Sequence, residues 1–323
     1  MHAIVVGGGA GAPLEWREVA DPEPKPHEVL VRIHATAVNR ADLAQRRGGY
    51  DPPPGAPPYL GLEMAGEVAA VGAQAQGFAV GDRVYSILGG GGYAEAVAAD
   101  PSYLMPLPDA LSFTEGGGLP EVFLTAYVNM FMEAGLAAGE TVLIHGGASG
   151  VGTAAIQLAR HAGATVCVTA RSEAKLAACR DLGAHVAVNH TAGRWEEEIA
   201  AAAGGVDVIL DCVGANYLAR NLGLLRERGR LVFIATLGGN VAEFRIGDLM
   251  RKRQRLIGSV LRARSAAEKA AISAGFQRDF GAAVAAREIL PVIHAVMPVQ
   301  QAQQAHDLVE RYANIGKVVL AVR

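Results

Sequence analysis

Cysteine is scarce: the 323 residues hold three, Cys167, Cys179 and Cys212, with no close pair. An odd, scattered set supplies neither a disulfide framework nor a zinc cage, and it suits a reducing compartment. No stretch approaches the roughly 18 uninterrupted apolar residues of a membrane helix, so no span is expected. The start, Met1-His-Ala-Ile-Val-Val6, lacks the basic segment and the apolar length of a secretion signal. Charge of one sign is also lacking. A formal net charge of −3 draws a protein neither to nucleic acid nor to an anionic membrane. The dense cationic run Arg251-Lys-Arg-Gln-Arg255 reads as a solvated helix end on such a chain. The expectation is a cytoplasmic protein with a small-molecule partner.

What the chain does have is apolar residues, 51% of the total, and 40 glycines gathered at turns. That content excludes a disordered or fibrous chain, and the length allows two domains. Up to about residue 120 the pattern is β-rich. Val29-Leu-Val-Arg-Ile-His34 alternates with period two, and Glu67–Val71 and Asp82–Ile87 are further strands between glycine turns. Pro52-Pro-Pro-Gly55, with Pro57 and Pro58, forces an ordered loop. Beyond Pro120 the pattern changes to short apolar runs separated by helical stretches. The runs begin at Thr141, Thr165, His185, Val208, Leu231 and Leu256. This alternation predicts a parallel sheet covered on both faces. After Ser265 come two helical stretches, a short Ile289–Val292 segment and a strand at Lys317–Leu320. That strand has no βαβ partner and is expected to return to the first domain.

Gly147-Ala-Ser-Gly-Val-Gly152 lies between a strand and a helix whose apolar face is Val151, Ala154, Ala155, Leu158 and Ala159. Glycine lets backbone amides approach a pyrophosphate, and the helix N-terminus adds partial positive charge. Gly147, Ser149, Gly150, Val151 and Gly152 are therefore the phosphate-binding candidates, with Ser149 standing where a glycine is usual. The next strand ends in Thr169-Ala-Arg-Ser172, with Lys175 on the first helical turn. NAD-selective sites place a carboxylate there for the ribose 2′-hydroxyl. Arg171, Ser172 and Lys175 suit a 2′-phosphate instead, so the expected cofactor is NADPH. Thr125, Cys212 with Val213, and Leu237 lie at strand ends or near the sheet's ligand-binding edge. Cys212 reads as a packed thiol rather than a nucleophile.

Residues 139–160 resemble the signature of the quinone oxidoreductase (zeta-crystallin) branch of the medium-chain dehydrogenase/reductase superfamily. Gly61-Leu-Glu-Met-Ala-Gly-Glu-Val68 and Gly81-Asp-Arg-Val84 resemble its GroES-like domain. Val38-Asn-Arg-Ala-Asp-Leu43, Tyr50-Asp-Pro-Pro-Pro-Gly55, Leu119–Thr125 and Asn314-Ile-Gly-Lys317 resemble the tumour-suppressor-inducible quinone oxidoreductases within it. The resemblance implies an α/β fold: a discontinuous GroES-like β-rich catalytic domain, residues 1–121 and 263–323, plus a Rossmann doubly wound NADPH-binding domain, residues 122–262. It also implies an interdomain cleft, a homodimer joined near residues 256–261, and contacts to the dinucleotide from Val260, Leu261, Arg262 and Lys317. Asn39 and Tyr50 become candidates for contact with nicotinamide or substrate. Metal-dependent relatives carry Gly-His-Glu where this chain has Leu62, so no metal is expected. The implied activity is NADPH-dependent reduction of a quinone by hydride transfer. The alternatives are reduction of an enoyl or alkenal double bond, and a non-catalytic crystallin-like or RNA-binding role.

Overall fold

The computed structural model describes residues 1–323. Its chain divides into two compact units, Met1–Leu124 with Leu261–Arg323, and Thr125–Val260.

The first unit opens with an antiparallel pair, β1 (His2–Val6) and β2 (Leu14–Glu18). Strand β3 (Val29–Ala37) buries Val29, Val31 and Ile33 completely while Arg32 faces outward, as its period-two pattern requires. Helix α1 (Arg40–Arg46) follows, then β4 (Glu63–Val71), β5 (Arg83–Ile87), β6 (Ala96–Ala99) and β7 (Met105–Pro106). Two short helices, α2 (Phe113–Gly117) and α3 (Pro120–Tyr127), come next. Val29, Val31, Ile33, Met64, Val68 and Val84 share one core, so β3, β4 and β5 are bound by apolar burial as well as by their ladders.

The second unit contains β8 (Thr141–His145), α4 (Gly150–His161), β9 (Thr165–Ala170), α5 (Glu173–Asp181) and β10 (Val186–Asn189). It continues with α6 (Trp195–Ala203), β11 (Val206–Asp211), α7 (Leu218–Leu224), β12 (Leu225–Phe233), α8 (Ile246–Lys252) and β13 (Arg255–Gly258). All its strands are parallel, in the order β10-β9-β8-β11-β12-β13. The order reverses at β8, which is the doubly wound arrangement implied by the family resemblance. The helical pattern beyond Pro120 is realised as α3 and a π-helical continuation, Val128–Glu133, a departure that periodicity does not reveal. The cationic run is anchored. Lys252 Nζ donates to the carbonyls of Gly223 and Leu225, both at 2.8 Å, at the end of α7.

The remaining elements, α9 (Ala266–Ala285), β14 (Ile293–Pro298), α10 (Ala302–Glu310) and β15 (Lys317–Ala321), belong to the first unit. Its large sheet runs β14-β15-β3-β4-β5-β7, with β6 also paired to β3. The orphan strand β15 does return, antiparallel to β3. The short Ile289–Val292 segment leads directly into β14. One reading is corrected here. The first helical stretch is one 20-residue helix, and the second follows β14 instead of preceding it. Strand β14 alternates half-buried and exposed residues at the edge of the sheet, but apolar Val296 lies on the exposed face, so no period-two pattern announces it. No helix is long and apolar enough to cross a membrane.

Candidate functional site

Two constellations emerge, one in each unit. In the second unit the residues selected from sequence gather at the carboxyl ends of the parallel strands. The turn from Gly146 to Ser149 follows β8, Arg171 and Ser172 follow β9, Cys212 and Val213 follow β11, Leu237 follows β12, and Val260 follows β13. Leu237 and Val260 are exposed, and so is Arg171, whereas Ser172 and Lys175 are half-buried. Ser149 is the N-cap of α4, and its Oγ accepts from the Gly152 amide at 3.0 Å. A Cβ on Gly152 would lie 2.3 Å from the Gly146 carbonyl oxygen, so only glycine lets this helix approach the turn so closely. Ser172 is the N-cap of α5 but makes no side-chain cap hydrogen bond. Val213 is braced from below, since Asp211 Oδ1 accepts its amide at 2.5 Å. Burial pushes the Asp211 carboxyl up to about 6 against those amide bonds. Asn221 Nδ2 donates to Asp211 at 3.1 Å, and its Oδ1 meets His145 Nε2 at 2.8 Å. Burial lowers His145 to about 4, leaving a neutral ring that also meets Thr169 Oγ1 at 2.9 Å. His145 is thus a support beneath the turn.

The first unit holds a buried polar cluster. Lys317, on β15, donates from Nζ to Glu63 Oε1 at 2.7 Å, Asn39 Oδ1 at 2.6 Å and the Val38 carbonyl at 3.2 Å. All three N–H groups are thereby engaged. Both charged side chains of the pair are almost sealed from water, Lys317 at 3% exposure and Glu63 at 0%. Asn39 is the N-cap of α1, and its Nδ2 donates to Glu63 Oε1 at 2.7 Å and weakly to the Ala37 carbonyl at 3.3 Å. Lysine can only donate and a carboxylate only accept, so these two partners fix the orientation of the amide. What Asn39 has left is a lone pair on Oδ1. It can accept from a carboxamide or hydroxyl of a bound molecule, but it has no donor for a substrate oxygen. The expectation that Asn39 serves either is narrowed accordingly. The donors of Lys317 all end within this cluster.

Asp42, on the first turn of α1, completes the floor. Its carboxylate accepts from the backbone amides of Asn39 at 2.8 Å and Gly61 at 2.9 Å. Gly61 has φ of +101°, which favours glycine. Burial raises Asp42 to about 6. Beyond it, Tyr93 Oη lies 3.3 Å from Asp42 Oδ2 and 3.2 Å from His306 Nε2. Tyr50 is half-buried with the Arg262 guanidinium 5.0 Å from its ring centroid. Arg262 donates to the Gly89 carbonyl, Gln45 Oε1 at 2.7 Å and the Tyr50 carbonyl at 3.3 Å. Four of its five N–H groups are thus engaged within the first unit, where it holds the proline-rich loop. Leu261, beside it, is buried. Thr125 is half-buried and gives its carbonyl to Asn129 Nδ2 at 2.7 Å.

Sequence reasoning overlooked Asp42 and Glu121 and considered Glu63 only as a lone metal ligand. The spacing Asn39-x-x-Asp42 at a helix start is a capping signature that points to Asp42. Glu121, in the first turn of α3, lends its amide to Glu63 Oε2 at 2.9 Å. No three His, Cys, Asp or Glu side chains converge to hold a metal ion. At Leu62, 1% exposed, there is no ligating atom, and the cation facing Glu63 is the Lys317 ammonium.

Comparison with known proteins gives two family matches, "Alcohol dehydrogenase GroES-like domain" over residues 25–109 and "Zinc-binding dehydrogenase" over residues 150–275. A quinone oxidoreductase of Mus musculus is 35% identical over 313 residues, covering 94% of this chain and 92% of its own. Among solved structures, a mycobacterial protein complexed with NADPH superposes with TM-score 0.87 at 30% identity, covering 99% of both chains. An NAD-dependent alcohol dehydrogenase gives TM-score 0.86 at 32% identity over 100% of each chain.

Proposed function

We propose, from the premise that the chain belongs to the quinone oxidoreductase family of the medium-chain dehydrogenases/reductases, that it reduces quinones with NADPH and without a metal. The Lys317–Glu63–Asn39 cluster carries this reading. Zinc catalysis needs several ligating side chains around an open position, whereas here an ammonium balances the one carboxylate and leucine stands beside it. A quinone suits such a site because its reduced anion is aromatic and delocalised, so no Lewis acid is required. When bound, NADPH supplies the hydride.

The residues that would hold NADPH are the turn Gly147–Gly152, with its helix N-terminus, and Arg171, Ser172 and Lys175 for the 2′-phosphate. Val213, Leu237 and Val260 present backbone and apolar surface at the same sheet edge. Asn39 would accept a hydrogen bond from the carboxamide or ribose, held in register by Lys317 and Glu63. Tyr50 would close over the acceptor ring, its hydroxyl kept protonated because burial, and then nearby Glu121, raise its pKa above the usual phenol value.

A substrate panel tests the assignment. Ortho- and para-quinones are expected to turn over with NADPH, with rates unchanged after exhaustive chelation. A clear preference for crotonyl thioesters or alkenals would transfer the assignment to double-bond reduction. RNA retention at physiological salt with no reductase turnover would transfer it to a binding role.

The proposed assembly is a homodimer joined along β13. This strand pairs only with β12 and leaves one edge of the six-stranded sheet open. Exposed Ile246, Met250 and Val260 precede or follow it in sequence. Sedimentation equilibrium should return twice the 33.5 kDa chain mass.

A further inference from the structure

The two-electron reduction proposed above forms an oxyanion that must be protonated, and neither Asn39 nor Lys317 has a donor left to give. We propose that Glu121 is the proton donor, a carboxylic acid that delivers its proton to the oxygen of the reduced acceptor; this rests on the reading of the chain as a quinone reductase.

Geometry singles the residue out. Its backbone amide is fixed on Glu63 Oε2, which anchors the first turn of α3 against the buried cluster. Its own carboxyl makes no hydrogen bond and no ion pair within the chain. The helix N-terminus, which ordinarily favours a carboxylate, offers that amide to Glu63 instead. The charged groups facing it are accounted for element by element. On β4, Glu63 repels a negative charge, as does Asp42 on α1. On β15, Lys317 is saturated by three acceptors. Arg262 is engaged by Gly89, Gln45 and Tyr50. On α9, Lys269 directs its ammonium over the Tyr103 ring, 5.8 Å from the centroid. None of these cations forms an ion pair with Glu121: its charge and that of Lys269 favour one another only at longer range, and burial, then Glu63, push its carboxyl up to about 8. At neutral pH it is therefore an acid, and near its working pH it can exchange, which is what a general acid requires. The residue as a whole is half-buried and not sealed.

The step balances. Two electrons and a hydrogen pass to the acceptor as hydride from NADPH, giving NADP⁺ and the acceptor oxyanion. The Glu121 O–H bond breaks as the acceptor O–H bond forms, and the Glu121 carboxylate then takes a proton from water. One NADPH and one proton are consumed per acceptor.

Glu121→Gln keeps the shape and removes the acid, and Glu121→Asp keeps an acid one methylene shorter. Infrared titration of the protein without cofactor should show a carboxyl C=O band that disappears with a midpoint near pH 8 and is absent from Glu121→Gln. Thermal unfolding gives the same information by linkage. The folded chain holds this proton more tightly than the unfolded chain, so its stabilising contribution is full below about pH 4.5 and lost as pH rises through about 8. The melting temperature of the unaltered protein should thus fall more steeply than that of Glu121→Gln between pH 5 and 9. With an ortho-quinone, kcat at pH 7 should drop by about 100-fold in Glu121→Gln and lose its alkaline limb, while Glu121→Asp retains that limb. Calorimetric NADPH binding should be unchanged in both variants. An infrared band surviving in Glu121→Gln, or full turnover with the limb intact, overturns the proposal while leaving quinone reduction standing. If the unaltered protein reduces no quinone, the functional reading fails and the infrared titration still decides the state of Glu121.

Discussion

Replacing Lys317 with methionine should cost about 3–5 kcal/mol of folding stability, the usual toll of removing one partner from a buried ion pair. The size follows from what is left behind. Glu63 is completely buried, and its Oε1 would keep only the Asn39 amide, with Oε2 on the Glu121 backbone. An uncompensated charge in that position must be protonated or hydrated, and either outcome disturbs β4 and the α1 N-cap together. Removing the charge as well, in Glu63→Gln/Lys317→Met, should restore most of the loss, so the coupling energy should be large and opposite in sign to the single effects. Urea unfolding of the four proteins measures it. Additive single effects would show that the pair is not the linchpin of the cluster.

Arg171→Asp should reduce the NADPH-over-NADH binding ratio by about 100-fold or more, since a charge-assisted hydrogen bond is worth ~1.5–3 kcal/mol and a carboxylate adds repulsion. Much of the change should be lost NADPH affinity. Some should be gained NADH affinity, because a carboxylate at the end of the second strand can accept from a ribose 2′-hydroxyl. The placement of Arg171 directly after β9, on the neighbour of the glycine-turn strand β8, is the basis for the expectation. Isothermal titration with both dinucleotides checks it; an unchanged ratio would falsify the assignment of Arg171 to the 2′-phosphate.

Much of the architecture was legible because its signals are local. The switch from alternating residues to apolar runs marks where β-rich chain gives way to a parallel sheet. Six runs and their helices predict a parallel sheet covered on both faces, while the doubly wound arrangement came from the family resemblance. The glycine turn was equally readable, since Gly152 is needed by its nearest neighbours in the chain. Strand β14 was not, because apolar residues on both faces, Val296 on the wet one, erase the period-two alternation. The π-helical stretch Val128–Glu133 differs from an α-helix in hydrogen-bond register only. In the buried cluster, Asn39 and Lys317 were selected, but their relationship was not. Glu63 and Lys317 are 254 residues apart, and Glu121 and Glu63 are 58 apart. No periodicity links residues across such distances, and a carboxylate that pairs with an ammonium reads in sequence like one that faces water. The intrachain partners of Lys317 and Arg262 were invisible for the same reason.

The pairing of β15 with β3 has a consequence for synthesis on the ribosome. Residues 125–260 are contiguous and can fold as soon as they emerge, whereas the unit built from both flanks waits for residue 317. Until then its central sheet has an unfilled side, and Glu63 has no counter-ion. Nascent chains arrested before Lys317 should therefore carry a protease-resistant nucleotide-binding half beside an upstream segment that is still cleavable, the natural point at which a chaperone would be needed.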